Sequence, residues 1–299
     1  MAELRKGRII KGLGGLYDLL MEDGEMLSCR ARGHFRHENI TPLVGDNVSA
    51  ECDGETTSIA EILPRKNSLI RPPLANLDYL FIAAAAAHPA PVLETIDKLT
   101  AIACHNNIKP VIIITKCDLD GAKAERIAEI YRRVGFDTFV TGHGAELGEL
   151  RSFVDALPAN SLSAFAGASG VGKSTLMNLL FPKLELLTGT LSRKTERGRH
   201  TTRHVQLYRC GEAFIADTPG FSMLDFIRFD FFDKESLPYT FPEFEEYLGC
   251  CRYTKCTHTK EEGCRILEAV KEGIIPEERH ASYMALFGDL KNKHARDKK

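Results

Sequence analysis

The 299-residue chain has almost no net charge, no long apolar run and no disulfide-like cysteine framework, and each absence removes a class of function. A formal charge of -2 at pH 7 excludes a uniformly basic nucleic-acid coat, although opposite charges elsewhere can hide a local basic patch. The longest apolar run, YLFIAAAAA from Tyr79 to Ala87, is too short to span a bilayer. The opening MAELRKGRII lacks the uninterrupted apolar core of a secretory leader, so a soluble cytoplasmic protein with no membrane partner is expected. Of nine cysteines, Cys29, Cys52, Cys104, Cys117 and Cys210 stand singly, while Cys250, Cys251, Cys256 and Cys264 crowd together. That distribution points to reduced thiols and one metal site. What remains is ordinary globular material, 43% hydrophobic and 27% charged.

Texture divides the chain into three. Residues 1–70 carry short strand-like runs broken by turn signals (GRIIKGLGGLYDLL, MEDGEMLSCRAR, GDNVSAECDGETTSIAEIL), which predict a small β-barrel or sandwich. RPPLAN, Arg71 to Asn76, is expected to act as a hinge because adjacent prolines bar regular structure. Over residues 71–226 apolar strands such as PVIIIT and EAFIADT alternate with helical patterns such as PVLETIDKLTAIACHNN. This predicts an α/β domain with a mainly parallel sheet. Residues 227–299 hold aromatic-rich chain, the cysteine cluster, two expected helices and the basic tail KNKHARDKK.

GASGVGKST, Gly167 to Thr175, fits the phosphate-loop pattern between a predicted strand and a predicted helix. Backbone N–H groups of Gly167, Ala168, Ser169, Gly170, Val171 and Gly172 can turn toward phosphates there. Lys173 would balance β- and γ-phosphate charge, Ser174 would ligate Mg²⁺, and Thr175 closes the motif. Downstream, EAFIADTPGF ends a strand with Asp217, suited to Mg²⁺, and Gly220, whose N–H can reach a γ-phosphate. Between them lies the polar segment Thr188 to His204. Thr202, or alternatively Thr201, would complete the Mg²⁺ shell from this segment. Upstream, TKCD reads as a guanine reader: Thr115 opens it, the Lys116 stem lies along the ring, and Asp118 accepts from the base N1–H and exocyclic amine. The order is reader, phosphate loop, threonine loop, Asp217 strand. This is a circular permutation, which strand ends meeting in space can tolerate.

With these motifs, LIRPPLANLDYLFI, GRHTTRHVQLY and the terminal CRYTKCTHTKEEGCRILEAVKEG, the chain resembles the circularly permuted ribosome-assembly GTPases of the RsgA (YjeQ/YloQ) family along nearly its whole length. The resemblance implies that residues 1–70 form an OB-like β-barrel, and it implies GTP hydrolysis stimulated by the small ribosomal subunit, in late maturation of that subunit, with rRNA as a partner. Lysine and arginine in RKGRIIK and CRARGHFRH would then meet rRNA phosphates, and the protein is expected to work as a monomer. Thr115 departs from the asparagine of many GTPases, and the backbone-reading segment expected within Val140 to Leu150 lacks its serine-alanine pattern. Phe221 follows Gly220 where many GTPases place a water-orienting glutamine. His200 is the catalytic candidate, because the family implicates a histidine at this place in the motif; Lys173 joins it through the phosphates.

Cys251, Cys256, His258 and Cys264 are spaced C-x4-C-x-H-x5-C, a three-thiolate, one-imidazole set that suits one structural Zn²⁺. Cys250 competes by position, and the resemblance assigns Cys251. Permutation joins the Asp217–Gly220 loop through FSMLDFIRFDFF to this module, so a γ-phosphate-dependent movement is expected to reach it. A nucleotide-dependent RNA scaffold and a phosphate-loop ATPase or kinase are the other classes the motifs allow. Asp118 speaks against the last.

Overall fold

A computed structural model describes residues 3–33, 35, 40–53, 56–144, 147–181, 205–217 and 232–296. These form two compact units, one built from Met1–Tyr79, Val154–Phe165 and Met177–Phe221, the other from Leu80–Phe153, Ala166–Leu176 and Ser222–Lys299.

The first unit begins with five strands: β1 (Glu3–Leu13), β2 (Leu16–Met21), β3 (Met26–Ala31), β4 (Asn47–Asp53) and β5 (Thr56–Ile62). β1 pairs antiparallel with β2, β2 with β3 and β4 with β5; β3 runs parallel to β5, and β1 pairs back onto β4 to close a barrel. Apolar side chains from four of the strands drive this closure: Ile9, Leu19, Val48 and Ile59 are wholly buried, while Lys6 and Arg30 on β1 and β3 are exposed. Each buried aliphatic side chain contributes about 1.5–3 kcal/mol. The chain leaving the barrel is pinned by Arg65, whose Nε and Nη2 donate to Asp46 Oδ1 and Oδ2 at 2.6 and 2.8 Å.

The stretch Arg71–Asn76 differs from the expected hinge. β6 (Ser68–Leu69) and β7 (Leu74–Ala75) form a two-residue ladder, Leu74 and Ala75 are fully buried, and the Asn76 amide donates to the Gly45 carbonyl at 3.0 Å. The prolines end before Leu74, so the ladder resumes where N–H donors return. The same unit holds β11 (Leu162–Ala166), β12 (Gln206–Cys210) and β13 (Ala213–Asp217). β11 is parallel to β13, β12 is antiparallel to β13, and β12 meets β1 at Lys11 and Gln206.

In the second unit the strand order is β10 (Asp137–Val140), β9 (Lys109–Thr115), β8 (Tyr79–Ala85). Val111 to Ile114 have no exposure, as expected of a strand covered on both faces. Between the strands run α1 (Leu93–His105) and α2 (Gly121–Arg133). Asp120 starts α2 by accepting the Lys123 N–H at 3.0 Å, a cap worth about 1 kcal/mol. α3 (Gly148–Asp155) and α4 (Lys173–Leu180) follow, then two 3-10 turns (Leu237–Thr240 and Pro242–Tyr247), α5 (Arg265–Lys271) and α6 (Glu277–Arg296). Among the described residues no helix is long and apolar enough to cross a membrane.

Candidate nucleotide site and metal centre

The phosphate-loop segment leaves β11 at Gly167, with φ +135°. A Cβ there would sit 2.1 Å from the Ala83 carbonyl oxygen, so only glycine lets the loop cross β8 this closely. Lys173 donates through Nζ to the carbonyls of Gly167 and Ala168 at 2.8 and 2.7 Å, which aims the ammonium across the loop. Burial lowers its pKa from the ordinary lysine value. Ser169, Gly170, Ser174 and Thr175 are exposed, whereas Val171 is buried as the anchor of the loop.

The TKCD segment meets that loop within the same unit. Thr115 is buried, and its hydroxyl donates to the Val171 carbonyl at 2.5 Å and lies 3.3 Å from the Ala84 carbonyl. Lys116 adopts the left-handed backbone region at φ +59°, and its ammonium donates to the His88 carbonyl. Asp118 Oδ1 accepts the His143 N–H at 2.8 Å. A Cβ on Gly142 would lie 2.4 Å from that same oxygen, so the glycine makes room for the carboxylate. Backbone bonds from Thr141 N to Ile114 O and from Cys117 N to Thr141 O, 2.8 and 3.1 Å, hold the two loops together. Within the 140–150 region, it is thus Thr141 to His143 that the structure puts beside Asp118. The missing serine-alanine pattern hid this place in sequence; the signal was Gly142, two residues past the end of β10.

Asp217 ends β13 in the first unit. His200, Thr201, Thr202, Gly220 and Phe221 lie outside the described residues, as does most of the connection FSMLDFIRFDFF.

The metal-ligand candidates Cys251, Cys256, His258 and Cys264 converge, with all four donor atoms within 4.8 Å of one another. Cys251 Sγ is 3.8 Å from Cys264 Sγ, and His258 Nδ1 is 3.6 and 3.5 Å from those two sulfurs. A tetrahedron with metal–sulfur bonds of about 2.3 Å and a metal–nitrogen bond of about 2.05 Å has S–S edges near ~3.8 Å and S–N edges near ~3.5 Å. The set fits a metal ion of that geometry. Cys250 is exposed, and its thiol lies 3.8 Å from the Glu246 carbonyl, outside the converging four. His258 sits at φ +58°, and burial lowers its proton affinity, which leaves the imidazole free to ligate.

The ligand loop is laced from behind. Glu261 accepts N–H groups of Thr257, Thr259 and Lys260 at 3.0–3.1 Å and the Thr257 hydroxyl. Burial opposes its ionisation, yet these donors hold the carboxyl down at about 2. Arg279, on α6, is a further residue that sequence reasoning passed over. It is fully buried against Asp97 and Glu243, and its spacing to Tyr283 and Leu286 places a charge on an otherwise apolar helix face. An arginine in such a stripe was the available signal.

A family profile described as "RsgA GTPase" matches residues 62–227, and one described as "RsgA N-terminal domain" matches residues 6–59. The chain is 41% identical over 298 residues to the small ribosomal subunit biogenesis GTPase RsgA of Caldanaerobacter subterraneus subsp. tengcongensis, with 97% of each chain covered. It is 40% identical over 296 residues to the protein of the same name from Bacillus cereus, covering 97% of this chain and 99% of that one. Among solved structures, YloQ, a circularly permuted GTPase, superposes with a TM-score of 0.80 at 34% identity, covering 97% and 96% of the two chains. YjeQ from Thermotoga maritima gives 0.81 at 30% identity, covering 96% and 99%.

Proposed function

The chain belongs to the RsgA family of circularly permuted GTPases and is a GTP hydrolase, and from that premise we propose that it acts in the biogenesis of the small ribosomal subunit. Its relatives carry that name. In this reading residues 1–70 form an RNA-binding barrel, 71–226 the GTPase domain and 227–299 a zinc-binding domain. The protein works in the cytoplasm as a monomer, and the subunit with its rRNA stimulates turnover of GTP to GDP and phosphate.

The contact of Thr115 with Val171 carries the nucleotide assignment: it ties the guanine reader to the phosphate loop although the sequence runs them in reverse order. Asp118 selects guanine, Lys116 covers the ring, and Thr141 to His143 shape the Asp118 carboxylate. Gly167 to Thr175 wrap the phosphates, with Lys173 neutralising charge that builds on the β–γ bridge. Mg²⁺ bound with GTP would supply further charge neutralisation; Ser174, Thr202 and Asp217 would hold it, and the Gly220 N–H would meet the γ-phosphate. His200 orients the attacking water in place of the glutamine that Phe221 replaces. One Zn²⁺ held by Cys251, Cys256, His258 and Cys264 is structural, as a closed set with no open position implies.

Turnover of GTP and ATP, each with and without purified small subunits, tests the reading. GTP hydrolysis that rises with subunits, with ATP inert, is expected. In the same assay His200→Ala is expected to lose most stimulated turnover while still binding GTP. Equal use of ATP removes the guanine assignment, and nucleotide occupancy without subunit-dependent turnover favours an RNA scaffold.

A further inference from the structure

Helix α6 touches two places far apart in sequence. On one side Arg279 Nη1 donates to Asp97 Oδ1 at 2.5 Å and to Thr100 Oγ1 at 3.2 Å, both on α1. Its Nε and Nη2 donate to Glu243 at 2.7 and 3.2 Å, and its guanidinium lies 4.5 Å from the Phe241 ring. On the other side the next residue, His280, places Nε2 2.8 Å from the His258 carbonyl, and one turn on Tyr283 donates its hydroxyl to the Thr257 carbonyl at 2.8 Å. A carbonyl only accepts, so His280 Nε2 carries the proton. His258 is a metal-ligand candidate. One turn of α6 therefore holds the metal loop and α1 together.

α1 leads on to the nucleotide. It starts at Leu93, five residues after His88, whose carbonyl receives the Lys116 ammonium. The Phe232 ring lies tilted against His105 at the other end of α1, with ring centroids 4.9 Å apart, and Arg133 on α2 donates to the Gly273 carbonyl between α5 and α6. The module is thus seated on the half of the GTPase that carries the guanine reader.

We propose that Arg279 is a positioning residue for the guanine reader, through which metal occupancy at Cys251, Cys256, His258 and Cys264 tightens the hold on nucleotide. The inference rests on the assignment of Lys116 and Asp118 to guanine. A bound cation fixes the backbone at Thr257 and His258, and their carbonyls fix the rotation of α6. That rotation sets where the buried guanidinium meets Asp97. A guanidinium enclosed by two carboxylates and an aromatic ring has no water to substitute for a misplaced partner, so the contact is made or lost as a unit. Linkage then requires nucleotide to tighten metal binding by the same factor.

The test uses the full-length protein in excess Mg²⁺, loaded with Zn²⁺ or stripped by a zinc-selective chelator, with dissociation of a fluorescent GDP followed by stopped flow. Stripping is expected to speed release by about fivefold or more. Arg279→Met is expected to release GDP fast even when zinc-loaded and to change by less than about twofold on stripping, whereas a merely structural role would leave the response to zinc intact. Equal release with and without zinc in the native protein overturns the proposal, as does a full zinc response in Arg279→Met. Should that variant fail to fold, Tyr283→Phe, which lacks one hydroxyl, must lose at least half of the zinc response; an undiminished response overturns the proposal. Asp118→Ala separates the premise from the inference. If it binds GDP like the native protein, the guanine-reader assignment fails. If it loses binding while native release ignores zinc, only the coupling fails.

Discussion

At position 115 a threonine occupies the place where many GTPases carry asparagine, and its hydroxyl reaches the carbonyl of Val171 in the phosphate loop. Threonine can do this because the reader strand and the loop approach to hydrogen-bond distance at a buried point, where a short side chain suffices. Replacing it with valine keeps the shape and removes the donor, leaving a buried carbonyl unpaired at a cost of about 1–3 kcal/mol. Part of that cost falls on the loop's phosphate-binding geometry, so Thr115→Val is expected to weaken GDP binding about tenfold by titration calorimetry. Thr115→Ser is expected to restore it. Unchanged GDP affinity in the valine variant would show that the tether lies outside the binding energetics.

At the scale of elements, the metal loop depends on a carboxylate more than on helix or strand. The four ligands lie on irregular chain between Cys251 and Cys264, and Glu261 gathers three N–H groups of that chain. Outer groups of this kind typically set metal affinity by 10–100-fold. Glu261→Ala is therefore expected to weaken Zn²⁺ binding by about that factor, read by competition with a chromophoric chelator. An unaltered affinity would mean that the ligands are ordered without it. The ligand cluster was legible because four soft donors close in sequence have few other uses, and the strands were legible because runs such as VIII are buried on both faces. Arg279 was not. Its partners Asp97 and Glu243 lie 182 and 36 residues away, so its place in the apolar stripe of α6 hints at burial without saying what it pairs with. RPPLAN misled for a related reason: its prolines signal a break, while the burial of Leu74 is decided by residues near Gly45.

Across the whole molecule, the TKCD segment and the phosphate loop meet although their order is reversed, and the chain opens with a barrel whose charge is partly spoken for. The near-zero net charge conceals this division. Arg5 is paired with Asp23 and Glu25, Arg32 with Glu51, and Arg8 donates to the Asn160 carbonyl at 2.8 Å while lying 4.8 Å from the Phe214 ring. Burial lowers the Arg8 pKa, and its role is to pack the barrel on the strand behind it within the same unit. RKGRIIK therefore offers phosphate less than its composition suggested. Lys6 and Arg30 are exposed on β1 and β3 and remain available for phosphate contacts. A phosphate contact releases a condensed counterion, so each one steepens the fall of binding with salt by about one power. If rRNA lies against this barrel, the variant carrying Lys6→Gln and Arg30→Gln is expected to bind small subunits more weakly, with a log–log salt slope shallower by about two. Arg8→Gln, by contrast, is expected to lower the melting temperature and leave the slope in place. A double variant with native slope would move the RNA contact off these strands. A changed slope in Arg8→Gln would show that its guanidinium leaves Asn160 to meet phosphate.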